Sequence, residues 1–251
     1  MNDANSHKIS LLIIFFAALL GLMIWAPSGA PKAAPILLFN GTGVSPNDVK
    51  AIAAVLKDSH LKYALVTSPQ LNGLSEAQLK EYRLIIVPGG NYLKIGESLT
   101  PEAARNIHDA VKGGLNYLGI CAGGLLAGNA SSNSPNLTEG VKVGFYAAVN
   151  HGVHKTVVAV SGSDGSVIEH YWEDGPQFTG WGAVVGKYPD GTPAIVEGTS
   201  GKGWVILCGV HPEAPESWRS RMAFTTPTKV ANACAATLID AALHGTSLSH
   251  F

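Results

Sequence analysis

A cysteine stands in a turn of small residues between two apolar runs. The turn is Gly119-Ile120-Cys121-Ala122-Gly123-Gly124, and it precedes Leu125-Leu126-Ala127. A Gly-x-Cys-x-Gly turn between a strand and a helix is the form of a nucleophile elbow, in which glycines permit a tight backbone. The N-terminus of the following helix favours a thiolate, and the amide of Ala122 would face a developing oxyanion. The pattern predicts Cys121 as a nucleophile, with a buried structural cysteine as the alternative.

A histidine and a glutamate follow another apolar run late in the chain. Gly203 to Gly209 is predicted as a strand, and Val210-His211-Pro212-Glu213 comes directly after it. A cysteine and a histidine at the ends of two strands can meet across the top of a sheet, as cysteine hydrolases require. Glu213 could then accept the second imidazole N–H of His211 and fix its tautomer. The order predicts a Cys121-His211-Glu213 triad, with a loop histidine beside a solvated glutamate as the alternative.

A pair of glycines supplies the third element of the predicted site. Pro88-Gly89-Gly90-Asn91 follows the apolar run Leu84 to Val87. Residues without side chains let backbone N–H groups approach a reacting carbonyl closely. We therefore expect Gly89, Gly90 and Ala122 to form the oxyanion hole, with an ordinary loop as the alternative for the glycine pair.

The first half of the main domain alternates between apolar runs and helical segments. Helix starts are indicated by Ser45-Pro46, by the capping box at Ser75 and by Thr100-Pro101. Continuous apolar strands separated by helices predict a parallel sheet that is buried on both faces, with the ligand site beyond its carboxyl ends. The four predicted strands are Ile36 to Phe39, Tyr63 to Val66, Leu84 to Val87 and Leu115 to Ile120.

The second half favours antiparallel strands followed by a closing helix. Pro189-Asp190-Gly191 and Ser200-Gly201-Lys202-Gly203 are typical hairpin turns, and Val230 to Leu243 is predicted as the closing helix. The α/β fold class expected from both halves has a mostly parallel sheet with an antiparallel extension. The predicted strands are Val141 to Val149, Thr156 to Val160, Ser166 to Tyr171, Trp181 to Tyr188, Ala194 to Glu197 and Gly203 to Gly209.

Composition excludes several classes of function. Lys+Arg number 17 against Asp+Glu 18 with no basic run, so a nucleic-acid partner has no electrostatic support. The three cysteines have no CxxC spacing and are too few for a disulfide framework, and we predict neither a metal site nor a cofactor. Cys208 and Cys234 lie in apolar surroundings and are predicted as small buried hydrophobic residues.

The N-terminal residues predict export. Ile9 to Ala26 is uncharged and apolar apart from Ser10, which favours an uncleaved signal anchor over a cleaved signal peptide, and a buried core helix is the third possibility. Residues 1–34 would then comprise this segment and a short tether, and residues 35–251 the main domain. The expected location is extracytoplasmic, on the periplasmic side, either anchored in the membrane by residues 9–26 or released after cleavage.

The order of these motifs resembles the class I glutamine amidotransferase-like superfamily. Within it, the chain is most similar to the N-terminal domain of biotin-protein ligases and its free-standing bacterial relatives. Asn40 to Ser45 and Tyr171 to Phe178 also resemble that family. The resemblance covers about Pro35 to Leu243 and implies a flavodoxin-like three-layer sandwich with a Cys-His-Glu triad.

Two departures from the superfamily pattern bear on the substrate. Leu125 stands where glutamine-hydrolysing members have a Gln, which argues against glutamine, and Ala122 stands where related proteases have a His. No lysine-activating glycine-rich motif is evident, so biotinylation is not expected. The sequence predicts a cysteine hydrolase or amidase that acts on a small-molecule or peptide-like amide. A non-catalytic ligand- or partner-binding domain and a redox sensor based on Cys121 are the competing hypotheses.

Overall fold

Four short apolar strands form one half of the main sheet. The computed structural model describes residues 34–128, 132–146 and 155–251. Every residue of β1 and β3 is buried, as expected for strands that are covered on both faces. The hydrogen-bonded order is β2-β1-β3-β4 and all neighbours run parallel, which confirms the predicted sheet. The strands are β1 (Ile36–Phe39), β2 (Tyr63–Val66), β3 (Leu84–Val87) and β4 (Asn116–Ile120).

Helices cover both faces of this sheet. The connection from β1 to β2 runs one way along the sheet, whereas those from β2 to β3 and from β3 to β4 run the other way. Right-handed crossovers therefore put α1 on one face and both α3 and α5 on the opposite face. The helices of the first half are α1 (Pro46–Asp58), α2 (Ser68–Asn72), α3 (Glu76–Leu79), α4 (Tyr92–Ser98), α5 (Pro101–Lys112) and α6 (Ala122–Ala127).

The C-terminal half extends the same sheet with antiparallel strands. Strand β11 lies parallel beside β4, and β10, β9, β6 and β7 follow it in antiparallel order, which confirms the predicted extension. Helix α8 packs against α1 and so completes the three layers. The elements are β5 (Gly144–Phe145), β6 (Lys155–Gly162), β7 (Val167–Glu173), β8 (Pro176–Gln177), β9 (Ala183–Lys187), β10 (Pro193–Ser200), β11 (Gly203–Cys208), α7 (Glu216–Arg219) and α8 (Thr228–His244).

One predicted strand is much shorter than expected. Within the described part of Val141 to Val149, only Gly144–Phe145 is extended, and it pairs with β8 in a separate two-stranded sheet. Strand β8 begins at a proline, which has no N–H to donate, and ends one residue later, so it offers β5 only a short partner.

The predicted membrane segment, residues 9–26, lies outside the described residues. From residue 34 onwards, leaving out 129–131 and 147–154, no helix has the length and apolar character needed to cross a bilayer. All of the described residues belong to one compact unit.

Candidate functional site

The residues predicted to do chemistry meet at the carboxyl edge of the parallel strands. Cys121 follows β4, and His211 lies three residues beyond the end of β11, which is the neighbour of β4. Gly89 and Gly90 follow β3 on the other side of β4. Because these strands are parallel, their carboxyl ends open onto one crevice, where α/β proteins place their ligand sites.

The backbone at Cys121 is that of a nucleophile elbow. Its φ of 51° and ψ of −108° lie in a region that residues with a Cβ rarely occupy. The turn is tight because β4 and α6 nearly touch: a Cβ on Gly119 would stand 2.5 Å from the carbonyl oxygen of Gly123. The hydroxyl of Tyr117 donates a 2.8 Å hydrogen bond to that same oxygen and so stabilises the turn.

The Cys121 sulfur reaches a cavity although the residue is largely buried. Cys121 is 6% exposed and lines a cavity of about 500 Å³ together with His211 and Gly90. The thiol lies 3.6 Å from the carbonyl oxygen of Glu173, to which it donates. Further lining residues are Ser45, Asp48, Asn91, Tyr92, Leu93, Leu125, Phe145 and Asp174. A small ligand in this cavity would lie beside Cys121.

His211 is held by its backbone, by two aromatic rings and by Glu213. Its amide donates a 2.8 Å hydrogen bond to the carbonyl oxygen of Tyr171. The rings of Tyr171 and Trp218 meet the imidazole edge-on, with centroids 5.8 and 5.9 Å away. Nδ1 of His211 lies 2.9 Å from Oε1 of Glu213, and both side chains are buried. The predicted orienting role of Glu213 therefore has the required geometry.

The charges around His211 favour the imidazolium. Burial lowers the pKa of His211, but the Cys121 sulfur, the Glu213 carboxylate and the contact of its N–H with the Asp48 carboxylate outweigh it and hold this pKa well above its usual value. A hydrogen bond to Cys121 adds to the same effect. The imidazole and the sulfur line the same cavity and interact electrostatically, as a thiolate–imidazolium pair would.

Sequence analysis missed Asp48. It lies in the first turn of α1, and its Oδ1 is 3.2 Å from Nδ1 of His211. Sequence patterns identify residues 45–48 only as a helix start. The one signal that could have pointed to the site was an acidic residue in the first turn of the helix that follows β1. Ligand atoms of Asp48, His211 and Glu213 lie within 4.8 Å of one another, a spacing that could hold a metal ion. Because Nδ1 of His211 stands at hydrogen-bond distance from both carboxylates, we interpret the cluster as hydrogen-bonded.

The three residues predicted to form the oxyanion hole have backbone amides that no other described residue uses. Gly90, with φ 146°, lines the cavity, and Ala122 is the first residue of α6. Among the described residues, no hydrogen bond uses the amide of Gly89, Gly90 or Ala122. Gly89 has a further effect, because a Cβ there would stand 2.2 Å from Oδ1 of Asp48 and 2.7 Å from Cε1 of His211. Gly89 therefore makes room for the contact between those two side chains.

A second cavity lies on the other side of His211. It has a volume of about 640 Å³, and His211, Asp48 and Glu173 line both cavities. Its wall includes Lys155 and Arg221 beside the aromatic rings, whereas the cavity at Cys121 has no Lys or Arg among its described lining residues. His211 thus lines both the cavity that contains Cys121 and a second cavity that Cys121 does not line.

Comparison with protein families matches the first half of this domain. Residues 34–135 match the family model described as biotin-protein ligase, N terminal. The predicted resemblance is confirmed. The matched region includes Asp48, the glycine pair and Cys121, and it ends before His211. None of the curated proteins matches the chain.

Solved structures support the fold. A crystal structure of a glutamine amidotransferase is 19% identical with a TM-score of 0.55, and the alignment covers 74% of this chain and 96% of that one. A β-galactosidase from Bacillus circulans sp. alkalophilus is 12% identical with a TM-score of 0.52, over 86% of this chain and 32% of that one. A β-galactosidase from the Antarctic haloarchaeon Halorubrum lacusprofundi is 17% identical with a TM-score of 0.52, over 83% and 30%. This chain therefore spans about a third of either galactosidase, and the likeness concerns the fold alone.

Proposed function

We propose that this protein is a cysteine-dependent hydrolase of amide bonds that uses Cys121, His211 and Glu213. The observation that carries the proposal is that one cavity is lined both by Cys121, on a strained turn, and by His211, whose Nδ1 lies 2.9 Å from Oε1 of Glu213. A buried structural cysteine would need neither the strained backbone nor an imidazole partner.

The proposed reaction proceeds through a thioester. The Cys121 thiolate attacks the carbonyl carbon, forming an S–C bond, and the amides of Gly90 and Ala122 stabilise the oxyanion. The C–N bond then breaks as His211 gives its proton to the leaving amine. His211 next takes a proton from water as the water oxygen attacks the thioester carbon. The C–S bond then breaks, which releases the carboxylic acid and restores the Cys121 thiolate beside the His211 imidazolium.

The two cavities suggest how a substrate would lie. We place the acyl part in the cavity that contains Cys121 and the leaving amine towards the second cavity, because His211 faces both. Leu125 gives the acyl side an apolar wall, which fits the sequence argument against glutamine. The proposed substrate is a small-molecule or peptide-like amide.

The test is to trap the acyl intermediate. Incubation with an activated ester or anilide, followed by acid quenching and mass spectrometry, should give an acyl adduct on Cys121. The adduct should be absent in Cys121→Ala and form far more slowly in His211→Ala. Equal acylation in wild type and His211→Ala would exclude the proposed pair, and unlabelled Cys121 would exclude a nucleophilic role.

A non-catalytic binding domain is the second candidate, favoured by Leu125 in place of the expected Gln. In that case Cys121→Ala should retain full biological activity in its host. Loss of that activity in a folded Cys121→Ala protein would exclude the binding-only function.

We also propose that residues 9–26 direct the domain out of the cytoplasm, on the strength of their uncharged apolar sequence. Protease accessibility in intact and in permeabilised cells tests this. Protection that persists when only the outer envelope is opened would contradict it.

A further inference from the structure

Two buried carboxylates face a single nitrogen of His211. Nδ1 lies 2.9 Å from Oε1 of Glu213 and 3.2 Å from Oδ1 of Asp48. One N–H cannot point at both oxygens with good geometry, and the hydrogen bond runs to Glu213. Oδ1 of Asp48 then has only a poorly directed 3.2 Å contact with that nitrogen, and Oε2 of Glu213 has no hydrogen-bond partner among the described residues, although both oxygens are buried. Unpaired buried carboxylate oxygens are costly, so this arrangement calls for an explanation.

We propose that Asp48 is a second positioning carboxylate for His211, which keeps the imidazolium charged when Glu213 takes up a proton. This inference rests on the proposed role of His211 as the proton acceptor of Cys121. In this proposal the two carboxylates have different roles. Glu213 orients the imidazole ring of His211, and Asp48 supplies the negative charge that stabilises the imidazolium.

The surroundings of Glu213 and Asp48 shift the pKa values of the two carboxyl groups in opposite directions. Burial raises the pKa of Glu213, and its contacts with His211 only partly offset this. Burial also raises the pKa of Asp48, but hydrogen bonding and charge from His211, together with Ser45, outweigh it and bring this pKa below its usual value. Asp48 also stands in the first turn of α1, where the helix dipole favours an anion. Two neighbouring carboxylates do not ionise equally, and here Asp48 is the one that stays charged.

The sequence around the contact is arranged to permit it. Gly89 leaves the space that Asp48 and His211 occupy, since any side chain there would strike both. Ser45, the N-cap of α1, accepts a hydrogen bond from the amide of Asp48 and so holds the first turn. Asp48 is therefore presented to the imidazole by a rigid helix start.

The other groups that face His211 do not compete for this role. Burial raises the pKa of Tyr171 and of Cys208, so both stay protonated at neutral pH. Burial, followed by the charges of Arg219 and His211, lowers the pKa of His170 to about 3, so it is neutral. The charge at His211 is consequently set by Cys121, Asp48 and Glu213.

Alkylation of Cys121 by iodoacetamide tests the proposal without any substrate. Rates measured by peptide mass spectrometry from about pH 5 to about pH 9 report the thiolate–imidazolium pair. Asp48→Asn should lower the rate at pH 7, by up to about tenfold for each pKa unit that His211 loses, because the population of the ion pair depends on that pKa. Asp58→Asn, the same change at the exposed end of the same helix, should leave the profile unchanged.

Two outcomes would overturn the proposal. One is an Asp48→Asn profile equal to wild type at every pH. The other is a wild-type rate that falls to the Asp48→Asn level when a chelator is added, which would mean that a cation holds the cluster.

Glu213→Gln decides the matter if Asp48→Asn does not fold. The proposal expects Glu213→Gln to remain more reactive than His211→Ala, because Asp48 still charges the ring; equal rates would contradict it. The two proposals can fail separately. If the alkylation rate depends on Asp48 but no amide substrate is cleaved, the proposed hydrolase activity is refuted and the proposed role of Asp48 is retained.

Discussion

The amide of Cys121 donates a 2.8 Å hydrogen bond to the carbonyl oxygen of Cys208, the last residue of β11. This bond joins the turn that carries Cys121 to the strand that precedes His211. Because both partners are backbone atoms, the separation of the two side chains is built into the sheet itself. The packing of β4, α6 and β11 therefore determines the geometry of the site.

The turn at Cys121 should not tolerate a side chain at Gly119. In Gly119→Ala the new methyl group would meet backbone atoms of Gly123 and Gly124 at 2.5–2.8 Å, and these cannot move without opening the turn. We expect the free energy of unfolding to fall by about 2–3 kcal/mol and Cys121 alkylation to slow. Urea denaturation measures the first effect. Gly73→Ala, whose methyl group would meet its nearest neighbour at 3.5 Å, is the control and should change little.

Acid should destabilise the protein through His170. This side chain is buried on β7, and burial, followed by the charges of Arg219 and His211, brings its pKa from 6.5 to about 3. Since the unfolded chain binds a proton below pH 6.5 that the folded chain does not, stability falls as pH drops through that range, by about 1.4 kcal/mol per unit for this group. His170→Gln removes the titration. The difference in unfolding free energy between pH 7 and pH 5 should be smaller in the variant by about 2 kcal/mol, and an equal difference would contradict the assignment.

The cavity at Cys121 should prefer cationic reagents. Carboxylates of Asp48, Glu173 and Asp174 line it and outnumber the His211 imidazolium among its described lining residues, although Glu173 also pairs with Lys155 at 3.4 Å. A trimethylammonium methanethiosulfonate should modify Cys121 faster than the sulfonate analogue, after correction for their rates with free cysteine. The preference should weaken in high salt and in Glu173→Gln. A preference for the anionic reagent would show that the field in the cavity has the opposite sign.

Cys234 should react only in alkaline solution. Burial raises its pKa to about 11, so almost none of it is thiolate at neutral pH. Peptide mapping after alkylation at pH 7 should find Cys121 modified and Cys234 unmodified, and modification of Cys234 should begin near pH 10. Comparable labelling of both cysteines at pH 7 would contradict this.

Local patterns were sufficient to predict the parallel half of the fold and to place Cys121 and His211 at neighbouring strand ends. The apolar runs at Ile36 to Phe39 and Leu84 to Val87 are unbroken, because strands covered on both faces have no polar side. Cys121 and His211 could be paired because each directly follows such a run, and parallel strands end at one edge.

The contact of Asp48 with His211 and the space that Gly89 provides for it could not be predicted in this way. Asp48 meets His211 only through the crossover that sets α1 beside the carboxyl edge, and a helix-capping pattern carries no information about that contact. The prediction that Gly89 offers an amide likewise carries no information about what a Cβ there would strike. Both features depend on distances between parts of the chain that are far apart in sequence.

The activation of Cys121 by His211 is tested most directly by comparing alkylation rates in wild type and His211→Ala. We expect Cys121 of the wild type to react at pH 7 much faster than Cys234, with a pH profile that follows the thiolate–imidazolium pair. In a folded His211→Ala protein this faster reaction of Cys121 should be lost. An unchanged rate at Cys121 in that variant would contradict the account.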